Sequence, residues 1–182
     1  MKAYFLIILF FCGCNGYAAT LIEYVQLRED RTSQKLSTLR TQPKALLQFL
    51  QNLPKGADLH NHLSGAIETE RLIQWGIEDG LCINLLTATA SLPPCIYPIE
   101  PLSQAMSQPK HYQQVLQAWS MENFQGNVLA AHQHFFESFN KFSAIYSETR
   151  LGDTIAEALF IAGKNQQIYI ELMQGFGMSQ IG

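Results

Sequence analysis

Between positions 20 and 53 apolar residues recur at helical spacing in a charged, Gln-rich background: Leu36 and Leu39, then Ala45, Leu46, Phe49, Leu50 and Leu53. That period predicts two helices parting near Pro43, whose missing N–H is tolerated in the first turn of the second. The breaker cluster Leu53-Pro54-Lys55-Gly56 follows, and the period then falls to two over 57–63 before meeting Ser64-Gly65. This is the signature of a strand that ends in a turn. Residues 68–80 return to helical spacing through Leu72, Ile73, Trp75 and Ile77, with Gly80 placed to terminate the helix. The segment 82–101, rich in Pro, Thr and Ser, is expected to be a loop. A helix carrying Tyr112, Val115, Leu116 and Trp119 comes next, then a longer one over about 128–146. Its stripe Phe135, Phe136, Phe139 and Phe142 has the spacing of a buried face and is expected to be core. A helix over 154–163 and a strand over 167–173 complete the pattern, with Gly175 just after. Two strands joined through helices predict parallel pairing, hence an α/β chain.

Composition narrows what such a chain does. With 182 residues, 47% of them hydrophobic, it offers one domain plus a leader. Twelve Lys+Arg against fifteen Asp+Glu give a net charge of −3, with no basic stripe, so no nucleic-acid partner is expected. Residues 1–18 read as a secretory signal: Lys2 is the positive n-region, 4–12 the apolar run, and Gly16-Tyr17-Ala18 a small-x-small cleavage site. A transmembrane anchor is the alternative, but the run falls short of the ~20 residues a span needs. The mature chain then begins near Ala19 and is exported, either periplasmic or secreted. Phe11-Cys12-Gly13-Cys14 loosely resembles a bacterial lipobox, so a lipoprotein anchored at Cys14 is the alternative, and no other membrane contact is expected. Removing the leader leaves Cys82 and Cys95, which in an oxidising compartment invite one bridge; two unrelated buried thiols are the other reading.

The chemistry concentrates in His60-Asn61-His62. On a strand, positions i and i+2 share a face, so both imidazoles project together and make half a zinc site, while Leu59, Asn61 and Leu63 face away. Asp58 is placed to orient one of them as a supporting carboxylate. The same pattern recurs as His132-Gln133-His134, but on a predicted helix i and i+2 diverge by about 200°, so that pair is read as surface or interhelical.

The first pair lies at the C-terminal end of its strand, where parallel α/β barrels build active sites. The run Leu53-Pro54-Lys55-Gly56-Ala57-Asp58-Leu59-His60-Asn61-His62-Leu63-Ser64-Gly65-Ala66 resembles the opening of the adenosine deaminase family, and Tyr169-Ile170-Glu171-Leu172 resembles its second strand. Lys55-Gly56 and the leader look like the secreted, growth-factor-type branch, in which a helical extension precedes the barrel and an insertion follows the first strand. The resemblance implies a TIM barrel, (β/α)8, with a leader at 1–18, a helical extension at 19–53 and an incomplete barrel domain at 54–182 with its insertion around 82–101. It also implies one Zn2+ held by His60, His62, a later His and an Asp, activating the water that attacks the purine carbon bearing the amino group. A downstream Glu and His would handle the protons, and the product pair would be inosine and ammonia.

One departure concerns the substrate. Many adenosine deaminases place an acidic residue two positions after the second His, against the ribose; here Ser64 stands there, with Gly65 beside it, as the expected substrate-contacting turn. A hydroxyl binds a sugar less strongly than a carboxylate does. A closed barrel takes about 250 residues, so the chain is expected to hold only its N-terminal part, without catalytic residues of its own and inactive alone. Glu171 is the tempting base, yet its alternation with Ile170 and Leu172 reads as a polar residue of the barrel interior. Two other readings stay open: an exported binding or signalling module, and another zinc amidohydrolase acting on a different amino-heterocycle. A homodimer through the N-terminal extension is a further expectation.

Overall fold

Gln42-Pro43 divides the N-terminal segment as the spacing requires. Helix α1 (Lys2–Leu39) ends in a turn, and α2 (Pro43–Asn52) starts with Pro43 where no N–H is needed. The computed structural model describes residues 2–175, with side chains from Thr20 onward; the leader's side chains, Cys14 included, lie outside the described residues. Among the described residues no helix is long and apolar enough to cross a membrane. The chain separates into two compact units, Met1–Leu53 and Pro54–Gly182. In the first, the two helices touch through Lys35, whose ammonium sits 5.4 Å from the centre of the Phe49 ring, and α2 buries none of its residues fully.

The second unit is mixed α/β with two small sheets. It begins with β1 (Gly56–His62) and a single 3-10 turn, Leu63–Gly65, and continues into α3 (Thr69–Glu78). Gly80 ends α3 in the left-handed region, φ +67°, where a side chain would be strained. Its N–H donates to the Ile77 carbonyl and that of Leu81 to Gly76, which satisfies two helix-end acceptors.

The segment 82–101 is not a loop. It forms β2 (Cys82–Asn84), β3 (Thr89–Ser91) and β4 (Ile99–Pro101), an antiparallel sheet in the order β3-β2-β4. Strands of three residues are too short for a period to show. They are fixed by links between positions distant along the chain: Cys82 is bridged to Cys95 across the segment, with Cα atoms 5.4 Å apart, and the buried Trp119 indole N–H donates to the Ala88 carbonyl at 2.7 Å.

Short α4 (Leu102–Met106), then α5 (Pro109–Trp119), α6 (Val128–Phe142) and α7 (Leu151–Lys164) follow. Asn127 caps α6 by accepting from the Ala130 N–H at 2.9 Å, worth about 1 kcal/mol. A 3-10 turn, Ser143–Ile145, replaces the last turn expected of α6, and a second, Glu148–Arg150, leads into α7. The core gathers around Leu72, Ile83, Leu102, Val115, Trp119 and Ile145. Burying each such side chain is worth about 1.5–3 kcal/mol. Arg150 ties α7 to the end of α3, donating to Asp79 at 2.6 Å and Glu78 at 3.0 Å while its guanidinium lies over Trp75.

The aromatic stripe of α6 departs from its expected place. Phe142 is buried, but Phe135 is 43% and Phe136 57% exposed, so the described residues of this unit leave the N-terminal half of that helix face largely uncovered. The rings form a chain of contacts from Phe135 through Phe139 to Phe142 and Tyr146, edge to face at its two ends and tilted in the middle.

Strand β5 (Gln167–Met173) pairs with β1 in parallel and closes the fold. These two strands form a sheet by themselves, and the described residues do not close a barrel.

Candidate metal centre and adjoining cleft

The parallel register assigns the two faces of the β1–β5 sheet. Asp58 pairs with Ile170 and Asn61 with Leu172, all half-buried, and Leu172 packs on the core. His62 pairs with Met173 and Ala57 with Tyr169, all exposed. Between these pairs β1 carries one extra residue, an irregularity spanning Asp58 to Asn61. A bulge of this kind re-aims side chains locally. It explains why Leu59, expected on the face away from the histidines, is 61% exposed like its histidine neighbour.

The bulge is held from within. Asp58 accepts the His60 backbone N–H at 3.2 Å on one carboxylate oxygen and the Asn61 Nδ2 at 2.9 Å on the other. Both oxygens are therefore committed to shaping the strand. The expectation that Asp58 orients an imidazole gives way to this: it positions His60 through the backbone.

Beyond the bulge the two imidazoles converge, with His60 Nε2 3.1 Å from His62 Nε2 and the ring centres 5.0 Å apart. Two nitrogens each ~2.05 Å from one zinc ion stand roughly 3.3 Å apart at the tetrahedral angle. The observed spacing is close to that. It is also the spacing of an N–H···N hydrogen bond, in which one Nε2 carries the proton that a metal ion would displace. Among the described residues no group of three or more His, Cys, Asp or Glu converges on one point. The described residues thus offer two candidate ligands at this point, His60 and His62.

Glu171 is not a buried strand residue as its neighbours suggested. It is exposed and accepts the Tyr169 hydroxyl at 3.0 Å, an interaction that raises the Tyr169 pKa. The second His-x-His pair lies on α6 with separate partners: His132 stacks on Phe136, and His134 Nε2 bonds the Ser120 carbonyl at 2.9 Å while its ring lies on Phe124. His134 ties the loop after α5 to α6, His132 stays against its own helix, and the two rings do not converge.

Ser64 and Gly65, the expected substrate-contacting turn, line a cleft of about 520 Å³ between the start of α3, the end of α5 and α6. Glu68, Glu70 and Glu122 give it acidic edges, and Trp119, Phe139 and Phe142 an aromatic floor. A second recess of about 330 Å³ adjoins it across Phe139 and Phe142, bounded by Ser64, Tyr146, Gln174 and Gly175. It sits at the C-terminal ends of both parallel strands, where α/β folds bind ligands. The Tyr146 hydroxyl donates to the Ser64 carbonyl at 2.7 Å, and burial raises the phenol's pKa. Tyr146 and Gln174 carried no signal in the sequence, since each reaches this place only through the tertiary fold.

Comparison of the chain with family models, with curated proteins and with solved structures finds no match.

Proposed function

We propose that this chain supplies the first metal-binding strand of a zinc-dependent hydrolase of the (β/α)8 barrel type, one that removes the amino group of adenosine. The observation that carries the reading is the convergence of two imidazole nitrogens, 3.1 Å apart, at the C-terminal end of a parallel strand. His60 and His62 would hold the zinc. When bound, the ion supplies a Lewis acid that makes a nucleophile of water near neutral pH.

The chain's own residues do the rest of what is assigned to it. Asp58 fixes the bulge that aims His60. Phe139 and Phe142 offer flat apolar walls to a heteroaromatic ring, and Ser64 offers a hydroxyl to its sugar. The remaining ligands and proton-transferring groups are contributed by strands other than β1 and β5. Export to an oxidising compartment belongs to the same reading, because a disulfide persists there and not in a reducing cytosol.

The test is conversion of adenosine to inosine with release of ammonia by a zinc-loaded protein in which those further strands are present. Activity should vanish on chelation and in His62→Ala. A zinc-loaded preparation that leaves adenosine untouched but deaminates another amino-heterocycle would move the assignment to a different zinc amidohydrolase. One that releases ammonia from neither contradicts it.

A further inference from the structure

The wall of the recess at the ends of β1 and β5 includes a residue whose buried polar group has nothing to bond. Gln174 follows β5 directly, and its Nε2 is buried without a hydrogen-bond partner. An unsatisfied buried donor costs about 1–3 kcal/mol, and the great majority of buried polar groups avoid that cost. The other polar groups of the recess do not relieve it: the Tyr146 hydroxyl donates to Ser64 and the Ser143 hydroxyl donates to the Asn140 carbonyl. Gln174 nevertheless forms part of the wall. Its terminal torsion is broad, so turning the amide towards the recess costs little.

What would meet that amide follows from the walls. Phe139, Phe142 and Tyr146 are aromatic, and the volume of about 330 Å³ is at the small end of the roughly 300–1,000 Å³ of small-molecule sites. The space takes one planar ring system, not a polymer. We infer that Gln174 is a specificity-determining residue, its side-chain amide donating a hydrogen bond to an acceptor atom on the ring of the bound substrate. The inference rests on the reading of this chain as part of a nucleoside deaminase and adds the residue that reads the base. Ring nitrogens and carbonyl oxygens satisfy the donor; a purely hydrocarbon ring of the same size leaves it orphaned.

The experiment is a titration of the 15N-labelled full chain with adenosine, followed through side-chain amide resonances. The Gln174 pair is assigned by its disappearance in Gln174→Leu. The inference expects that pair to move on saturation, and Gln174→Leu to weaken adenosine binding about tenfold, the effect of one hydrogen bond of roughly 1.4 kcal/mol. Gln174→Glu keeps the shape while removing the donor, so it should weaken binding as well even if the leucine variant packs poorly. An unmoved Gln174 pair, wild-type affinity in both variants, or no adenosine binding by the wild-type chain overturns it. Zinc titration of the same samples separates this from the metal assignment. Zinc bound by the wild-type chain and lost in His62→Ala, with Gln174 indifferent, defeats the inference alone; no zinc binding, with the Gln174 effects present, defeats the metal reading alone.

Discussion

The two faces of the β1–β5 sheet carry opposite kinds of residue. On one face Asn61, Ile170 and Leu172 are half-buried, and Leu172 packs on the core. On the other His60, His62, Tyr169, Glu171 and Met173 stand exposed, with their polar atoms paired to one another across two residues on each strand. The disulfide-bridged sheet is different again, with Cys82, Ile83 and Ala90 of its strands sealed under Trp119 and α4. Where packing decides the residue, the side chains are apolar and sealed. Where nothing packs, the histidines are free to answer to chemistry. On the proposed reading stability and chemistry would sit in separable parts of one compact unit, and substitutions should show that separation.

The largest expected loss is at Trp119. Replacing it by Ala removes the side chain under the small sheet and leaves the Ala88 carbonyl unpaired, costing about 3–5 kcal/mol in a urea unfolding midpoint. Opening the bridge with Cys82→Ala and Cys95→Ala should cost about 3 kcal/mol through the freed loop, read as a lower thermal midpoint with reductant making no further difference. Gly80→Ala forces a Cβ into the left-handed region and should cost about 1–2 kcal/mol.

Tyr146 sharpens the comparison through pH. Its folded-state pKa is raised by burial above the ordinary value of about 10. Its contribution is therefore complete below pH ~10 and is lost as pH rises beyond that, while the unfolded chain ionises and the folded chain resists. Stability measured against pH should fall there in the wild type, and Tyr146→Phe should remove that part of the fall. At the bottom of the order, His60→Ala with His62→Ala should change stability by less than about 0.5 kcal/mol, because both rings are exposed. A loss comparable to that at Trp119 would erase the distinction between the two faces.

Much of this was legible in the chain. Apolar spacing located the helices, and the connection of 57–63 to 167–173 through helices foretold the parallel pair. The convergence of His60 and His62 followed from a period of two. Three features were not legible, each for a physical reason. The strands within 82–101 are three residues long, too short for a period to show, and they are held by Trp119 from another part of the chain as well as by the bridge that the two cysteines suggested. The bulge at Leu59-His60 depends on which β5 residues stand opposite, and it spends the Asp58 carboxylate on the backbone. The stripe of α6 has the spacing of a buried face, but spacing says only that one side is apolar. Whether a wall of the cleft or a neighbouring element meets it is a matter of tertiary structure, and here Phe135 and Phe139 line the cleft.

The central claim is that His60 and His62 bind one metal ion together through Nε2. Long-range proton–nitrogen spectra of the labelled chain, recorded while zinc is added, address it directly. The account predicts that the Nε2 resonances of both rings move together with one equivalent of zinc, while those of His132 and His134 stay in place, and that His62→Ala abolishes the change at His60. Movement of only one ring, or equal movement at all four histidines, would contradict it.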